Sequence, residues 1–161
     1  MPDATHEALP IMTPDPWSLS ARKLAAHVRA GVISAEAVTA ATLERIHSTN
    51  CTVNAIVSDT ERDAEQALGR ARAIDRRRAD GVPLGALAGV PATIKVIADQ
   101  EGEATTNGTT LAKDLIATRD APFVAQMRQE DVVFVGRTNT PAFSYRWFTS
   151  NIIHGTTLNP H

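Results

Sequence analysis

The sequence predicts an α/β fold with a largely parallel sheet, and three observations predict it. Helix-like and strand-like stretches alternate along the chain, glycines close the elements they follow, and two short runs are apolar at consecutive positions, as in strands covered on both faces.

In order along the chain, residues 1–17 contain four prolines and read as an irregular arm, with residues 18–161 forming one domain. From Leu19 to Ala30, Ala21, Leu24, Ala25 and Val28 share one helical face, and Gly31 is a natural stop. Ser34 is the expected N-cap of a second helix running to about His47, which completes a helical hairpin. Val53 to Val57 is short and apolar, a strand candidate by composition. Thr60 with Asp63 opens a third helix whose stripe is Ala64, Ala67, Leu68, Ala71 and Ile74 and which Gly81 closes. Arg72, Arg76, Arg77 and Arg78 on its far side read as a solvated face.

The run Ala92 to Ala98 is apolar on both alternating faces except at Lys95, which predicts a strand in a sheet covered on both sides. A polar loop follows. Asp120 before Ala-Pro is the expected start of a helix that continues through Val124 and Met127 to about Glu130. Val132 to Val135 reads as a buried strand ended by Gly136. No repeat or low-complexity tract interrupts this pattern.

Composition narrows the function classes. The 161 residues are 43% hydrophobic and 21% charged, with a net charge of −2. Such a balance leaves no electrostatic footprint for nucleic acid or an anionic membrane. No apolar run approaches the roughly 20 residues that span a bilayer, and Met1 to Pro16 lacks the layout of a signal peptide, so a cytoplasmic protein is expected. Cys51 stands alone, so no internal disulfide and no cysteine-based metal site is expected. The histidines at 6, 27, 47, 154 and 161 show no metal-ligand spacing. Nothing points to a metal, nucleotide or other cofactor.

Four stretches carry a more specific signal: Gly89-Val90-Pro91-Ala92-Thr93-Ile94-Lys95, Ala104-Thr105-Thr106-Asn107-Gly108, Gly136-Arg137-Thr138-Asn139-Thr140-Pro141, and Asn151 through Gly155 to Asn159-Pro160. In order and spacing they resemble the amidase-signature family, strongly over residues 87–161 and weakly before them. The resemblance implies the N-terminal part of that family's fold: a helical hairpin, then the first strands and helices of a mixed sheet covered by helices. It implies hydrolysis of carboxylic amides by a Ser–Ser–Lys mechanism that uses no cofactor, with Lys95 as the matching lysine. The family's two serines lie in Gly-Gly-Ser-Ser and Gly-Ser segments after Asn-Pro. Neither dipeptide occurs in these residues, and serines 18, 20, 34, 48, 58, 144 and 150 match neither catalytic position. Val96 and Ala142 stand where many members carry acidic residues, as in some branches of the family.

A lysine takes a serine's proton only as the neutral amine, a form favoured by burial among apolar neighbours such as those of Thr93 to Ile97. The strand alone equally allows an edge lysine that discourages aggregation; the accompanying motifs tip the reading to the catalytic position. The resemblance places Thr138, Asn139, Phe143, Ser144, Tyr145 and Trp147 at the wall and floor near the substrate, although aromatics 143, 145 and 147 also fit plain core positions. The loop at 104–108 shapes the site or is an ordinary turn. His154 reads as a loop histidine, and Cys51 has no partner signature for a nucleophile.

Two functions follow. In one, these residues are the N-terminal portion of an amidase acting on small-molecule amides, completed by a complementary C-terminal amidase chain or by sequence outside them. In the other, they are a non-catalytic binding or assembly module, or the remnant of a truncated amidase gene. In either case residues 1–161 alone are expected to be inactive and, with an apolar sheet face or edge uncovered, to associate, aggregate or be marginally folded.

Overall fold

The computed structural model describes residues 15–161, so most of the expected arm over 1–17 lies outside the described residues. Three helices come first. Ser20 caps α1 (Ala21–Arg29), Ser34 caps α2 (Ala35–Val53) and Asp59 caps α3 (Thr60–Ala79), each accepting a hydrogen bond from a backbone N–H of the first turn. Such caps satisfy otherwise orphaned donors and contribute about 1 kcal/mol each. α3 also caps α2: the two carboxylate oxygens of Asp75 accept from Ala35 and Glu36 N–H, both at 2.9 Å.

The helical hairpin is as the sequence predicts, but α2 continues past His47 to Val53 and ends on left-handed Asn54. The strand expected over 53–57 shrinks to one antiparallel bridge between Ile56 and Thr138. Asn50 explains the loss. Its side chain accepts from Ala55 and Ile56 N–H and donates to Ile56 C=O, each at 2.8 Å, using backbone groups that a longer strand would pair.

β1 (Pro91–Lys95) and β2 (Val133–Thr138) pair in parallel, with α4 (Pro122–Gln129) lying between them in the chain. Pro91 and Ala92 face Val133 and Phe134, whereas Ile94 and Lys95 face Arg137 and Thr138, so β2 carries one extra residue between the two registers. Gly136 occupies that bulge at φ +148, and a Cβ there would stand 2.7 Å from Ile56 Cγ2. β2 therefore runs through Gly136 instead of ending there. Conversely, β1 stops at Lys95, short of the expected Ala98, because Ala98 N–H turns back to Lys95 C=O at 3.0 Å.

Val133 and Val135 of β2 are buried in one cluster with Leu24 and Val28 of α1, Val38 of α2, and Ala67, Ala71 and Ile74 of α3. Each large aliphatic side chain so buried contributes about 1.5–3 kcal/mol. Cover on both faces, expected from the apolar runs, is incomplete. Ile97 and Phe123 remain 39% and 51% exposed along an open groove beside β1, and β1 has no second neighbouring strand among the described residues.

Two polar expectations are corrected. Asp120 is not the cap of α4; Ala121 holds that position, and Asp120 instead accepts from Glu101 N–H and Arg128. Nor is the arginine face of α3 merely solvated. Arg77, together with Arg70, closes on the buried carboxylate of Asp131 at 2.6 and 2.8 Å, while Asp131 also accepts from Gly85 N–H at 2.8 Å. Arg78 donates to Val28 C=O at 3.5 Å. Asp131 thus ties α3, the Gly85 turn and the start of β2. Gly85 is required there, because a Cβ would lie 2.3 Å from the Glu130 carbonyl carbon. Asp131→Ala removes the shared acceptor of Arg70, Arg77 and Gly85 N–H and should destabilise the fold by about 1–3 kcal/mol. Chemical denaturation measures this; an unchanged midpoint would contradict the ion-pair role.

Candidate active site

Lys95 ends β1 and is half-buried. Its backbone is held from two sides, by the register opposite Thr138 and by Arg137, whose Nη2 donates to Lys95 C=O at 3.3 Å and to Ala98 C=O at 2.7 Å. Arg137 is 2% exposed. Desolvation lowers its pKa below the ordinary arginine value, against the opposing pull of Glu103, Asp63 and Asp99.

The lysine amine meets a hydroxyl. Nζ donates to Ser144 Oγ at 3.0 Å, and Ser144 Oγ is 2.8 Å from Thr140 Oγ1. Ser144 reaches this position from a 3-10 turn, Ala142–Ser144, in which Phe143 (φ 50) and Ser144 (φ 62) are both left-handed. The 104–108 loop braces that turn: Asn107 C=O accepts from Phe143 N–H at 2.9 Å, while Asn107 N–H donates to Val96 C=O at 3.3 Å. The loop is therefore joined to both the end of β1 and the serine turn.

Of the other residues that the sequence singles out, Thr138 lies across from Lys95, and its carbonyl accepts from Val96 N–H at 3.0 Å. Asn139 is buried and faces away from the amine, towards the small hairpin of β3 (Ser150–Asn151) and β4 (Gly155–Thr156). Its amide donates to Gly155 C=O and Thr157 Oγ1, and its oxygen accepts from Thr140 N–H and the Asn151 amide. Phe143, Tyr145 and Trp147 are 53%, 88% and 106% exposed, so none is a core aromatic of the described residues. The structure thus brings Lys95, Thr138 and Ser144 together, projects the aromatics outward and commits Asn139 to the scaffold.

Sequence reasoning missed Arg137, Thr140 and Asn151 as individual residues. A lone arginine directly after the glycine that closes a buried apolar run was the available signal for Arg137. Thr140 and Asn151 had none beyond their motifs. Among the described residues no group of His, Cys, Asp and Glu could hold a metal ion, and no helix is long and apolar enough to cross a membrane.

The sequence model of the amidase family matches residues 37–161. The chain belongs to the amidase family. It is 45% identical to an indoleacetamide hydrolase of Bradyrhizobium diazoefficiens over 89% of its own length and 27% of that relative's. With an acylamidase of Rhodococcus erythropolis it shares 37% identity, over 88% of this chain and 29% of the relative. A bacterial aryl acylamidase of the amidase-signature family superposes with a TM-score of 0.82 at 31% identity, over 92% of this chain and 30% of that one. The chain therefore spans less than a third of the length of these relatives, and matches the amidase fold over that portion.

His154 places Nε2 3.2 Å from Thr106 Oγ1, and burial lowers its pKa below the usual 6.5. Between its folded and unfolded pKa values the unfolded chain holds more protons, so stability rises with pH across that interval and is lost as pH falls below 6.5. His154→Gln should flatten the acid side of a plot of denaturation midpoint against pH. An identical slope in the variant would show that His154 does not set it.

Proposed function

We propose that these residues form the lysine-bearing portion of an enzyme that hydrolyses carboxylic amide C–N bonds, with Lys95 as the base. The observation that carries this reading is a half-buried primary amine at the carboxyl end of a parallel strand, beside a hydroxyl-bearing turn, in a chain of the amidase family. In the proposed mechanism a serine oxygen attacks the amide carbonyl carbon as its proton passes, through a second serine, to the neutral Lys95 amine. The proton returns to the departing amine as the C–N bond breaks. Water then hydrolyses the acyl-serine by the same relay.

Both serines belong to amidase sequence outside residues 1–161, continuous with them or carried by a complementary chain. The open groove along β1 is where that sequence would add its cover. The substrate would be a small-molecule amide. The name of the Bradyrhizobium relative favours an aromatic acyl group, and Phe143, Tyr145 and Trp147 offer exposed ring faces for one, while Thr138 and Asn139 support the site through the strand and the hairpin. A cytoplasmic location belongs to the same proposal.

Magnitudes decide what residues 1–161 do unaided. One general base supplies typically 10²–10⁴-fold, whereas enzymes reach about 10⁶-fold or more, so Lys95 without the serines and an oxyanion hole falls short. No turnover of a simple aryl or aliphatic amide is expected from residues 1–161. With the serine-bearing sequence restored, Lys95→Ala should reduce turnover by about 10²-fold or more. Full activity of that variant, or Lys95-dependent turnover by residues 1–161 alone, would overturn the reading.

The uncovered groove makes a second expectation. Residues 1–161 should self-associate at micromolar concentration in sedimentation velocity. A monomer with a sharp cooperative unfolding transition would contradict it.

A further inference from the structure

The resemblance places Ser144, with its neighbours, in a substrate wall, but its contacts point elsewhere. Thr140 Oγ1 donates to Pro141 C=O at 3.0 Å, which uses its single proton. The 2.8 Å contact between Thr140 and Ser144 must then run from Ser144 to Thr140, which uses the Ser144 proton. What Ser144 has left is a lone pair, and that lone pair receives Lys95 N–H at 3.0 Å. The chain runs Lys95 to Ser144 to Thr140 to the Pro141 carbonyl.

That direction rules out two roles. A nucleophilic serine gives its proton to the amine, whereas here the amine donates to the serine. A proton wire needs an exit, whereas this one ends on a backbone carbonyl that cannot pass a proton on. The remaining role is orientation: one N–H of the amine is pinned, which fixes where its other positions point.

The backbone supports this reading. Phe143 and Ser144 are consecutive non-glycine residues at positive φ, a conformation that disfavours both and that persists only where the surroundings enforce it. The enforcing contacts are the bond from Phe143 N–H to Asn107 C=O and that from Ser144 N–H to Pro141 C=O, both 2.9 Å. The result of holding this turn is that the Ser144 hydroxyl faces Lys95.

We infer that Ser144 is a positioning residue for Lys95, holding the amine through a directed Lys95–Ser144–Thr140 hydrogen-bond chain so that its free valence faces the incoming hydroxyl. The inference rests on the proposed role of Lys95 as base, yet the anchor is measurable without any turnover. Lys23, Lys95 and Lys113 are the only lysines of the sequence, so two internal references accompany the residue of interest.

The experiment is competitive acetylation of residues 1–161 with limiting acetic anhydride at fixed pH, with mass spectrometry reporting each lysine. Ser144→Ala removes the hydroxyl and keeps the strained backbone. Ser144→Gly removes the hydroxyl and relieves the strain, since glycine accepts positive φ freely. Both variants should raise Lys95 labelling by about 2–10-fold, the range for releasing one uncharged hydrogen bond, with Lys23 and Lys113 unchanged. The unfolding midpoint of Ser144→Gly should be no lower than that of Ser144→Ala. Unchanged Lys95 labelling in Ser144→Gly, or an equal rise at all three lysines, overturns the inference. If labelling responds as expected while Lys95→Ala leaves turnover intact in the completed enzyme, the anchor stands and the base assignment fails.

Discussion

The parallel pairing of β1 with β2 in one register, with the extra residue of β2 absorbed at Gly136, is the constraint on which the rest of the site depends. A one-residue slip between the strands would turn every side chain of β1 to the opposite face and carry Lys95 away from Ser144. The bulge does more than absorb a residue. It sets Arg137 where its guanidinium holds the carbonyls of Lys95 and Ala98, bracing the turn at the end of β1. It also brings Ile56 against a residue with no side chain, the only kind that fits a 2.7 Å approach. Strand end, bulge and buried cation are one arrangement, and the amine stands at its edge.

The helices serve that register from behind. α1, α2 and α3 bury Val133 and Val135, and Asp131 fastens α3 to the residue from which β2 starts. On the other side of the site, three asparagines replace what regular pairing would do elsewhere. Asn54 donates to His154 C=O at 2.7 Å, Asn151 donates to Thr140 C=O at 2.8 Å, and Asn139 spans β2 and the hairpin. Backbone groups in short irregular segments need such partners, because burial without them costs a hydrogen bond's worth of free energy each. Rigid support therefore surrounds the turn of Ala142–Ser144 on both flanks, which is how two left-handed residues are kept in place.

What the sequence revealed and what it hid follow the range of the deciding interactions. Helix starts were legible because Ser34 and the residues around Thr60 act within one turn. The end of α2 was not, since Asn54 is held by His154, one hundred residues further on. Likewise, Ala92 to Ala98 looks like one strand, but the chain turns at Lys95, and Arg137 braces that turn from 42 residues away. The α/β class and the hairpin came from local patterns, and motifs singled out Lys95. The contact between Lys95 and Ser144 had no local signal, because phenylalanine and serine do not advertise positive φ. An uncovered sheet face was expected from the sequence, but its place was not: only the fold shows that it lies along Ile97 and Phe123.

Taken together, the residues describe a support built to present one amine beside hydroxyl groups, and the central claim is that this amine accepts a serine's proton. Labelling of the serine by a fluorophosphonate in the completed amidase reads that step without product release or substrate binding intervening. The account predicts that Lys95→Ala slows covalent labelling by about 10²-fold or more while the fold is retained. Labelling of the variant at the rate of the parent protein would show that the serine is activated by something else, and would remove Lys95 from the chemistry.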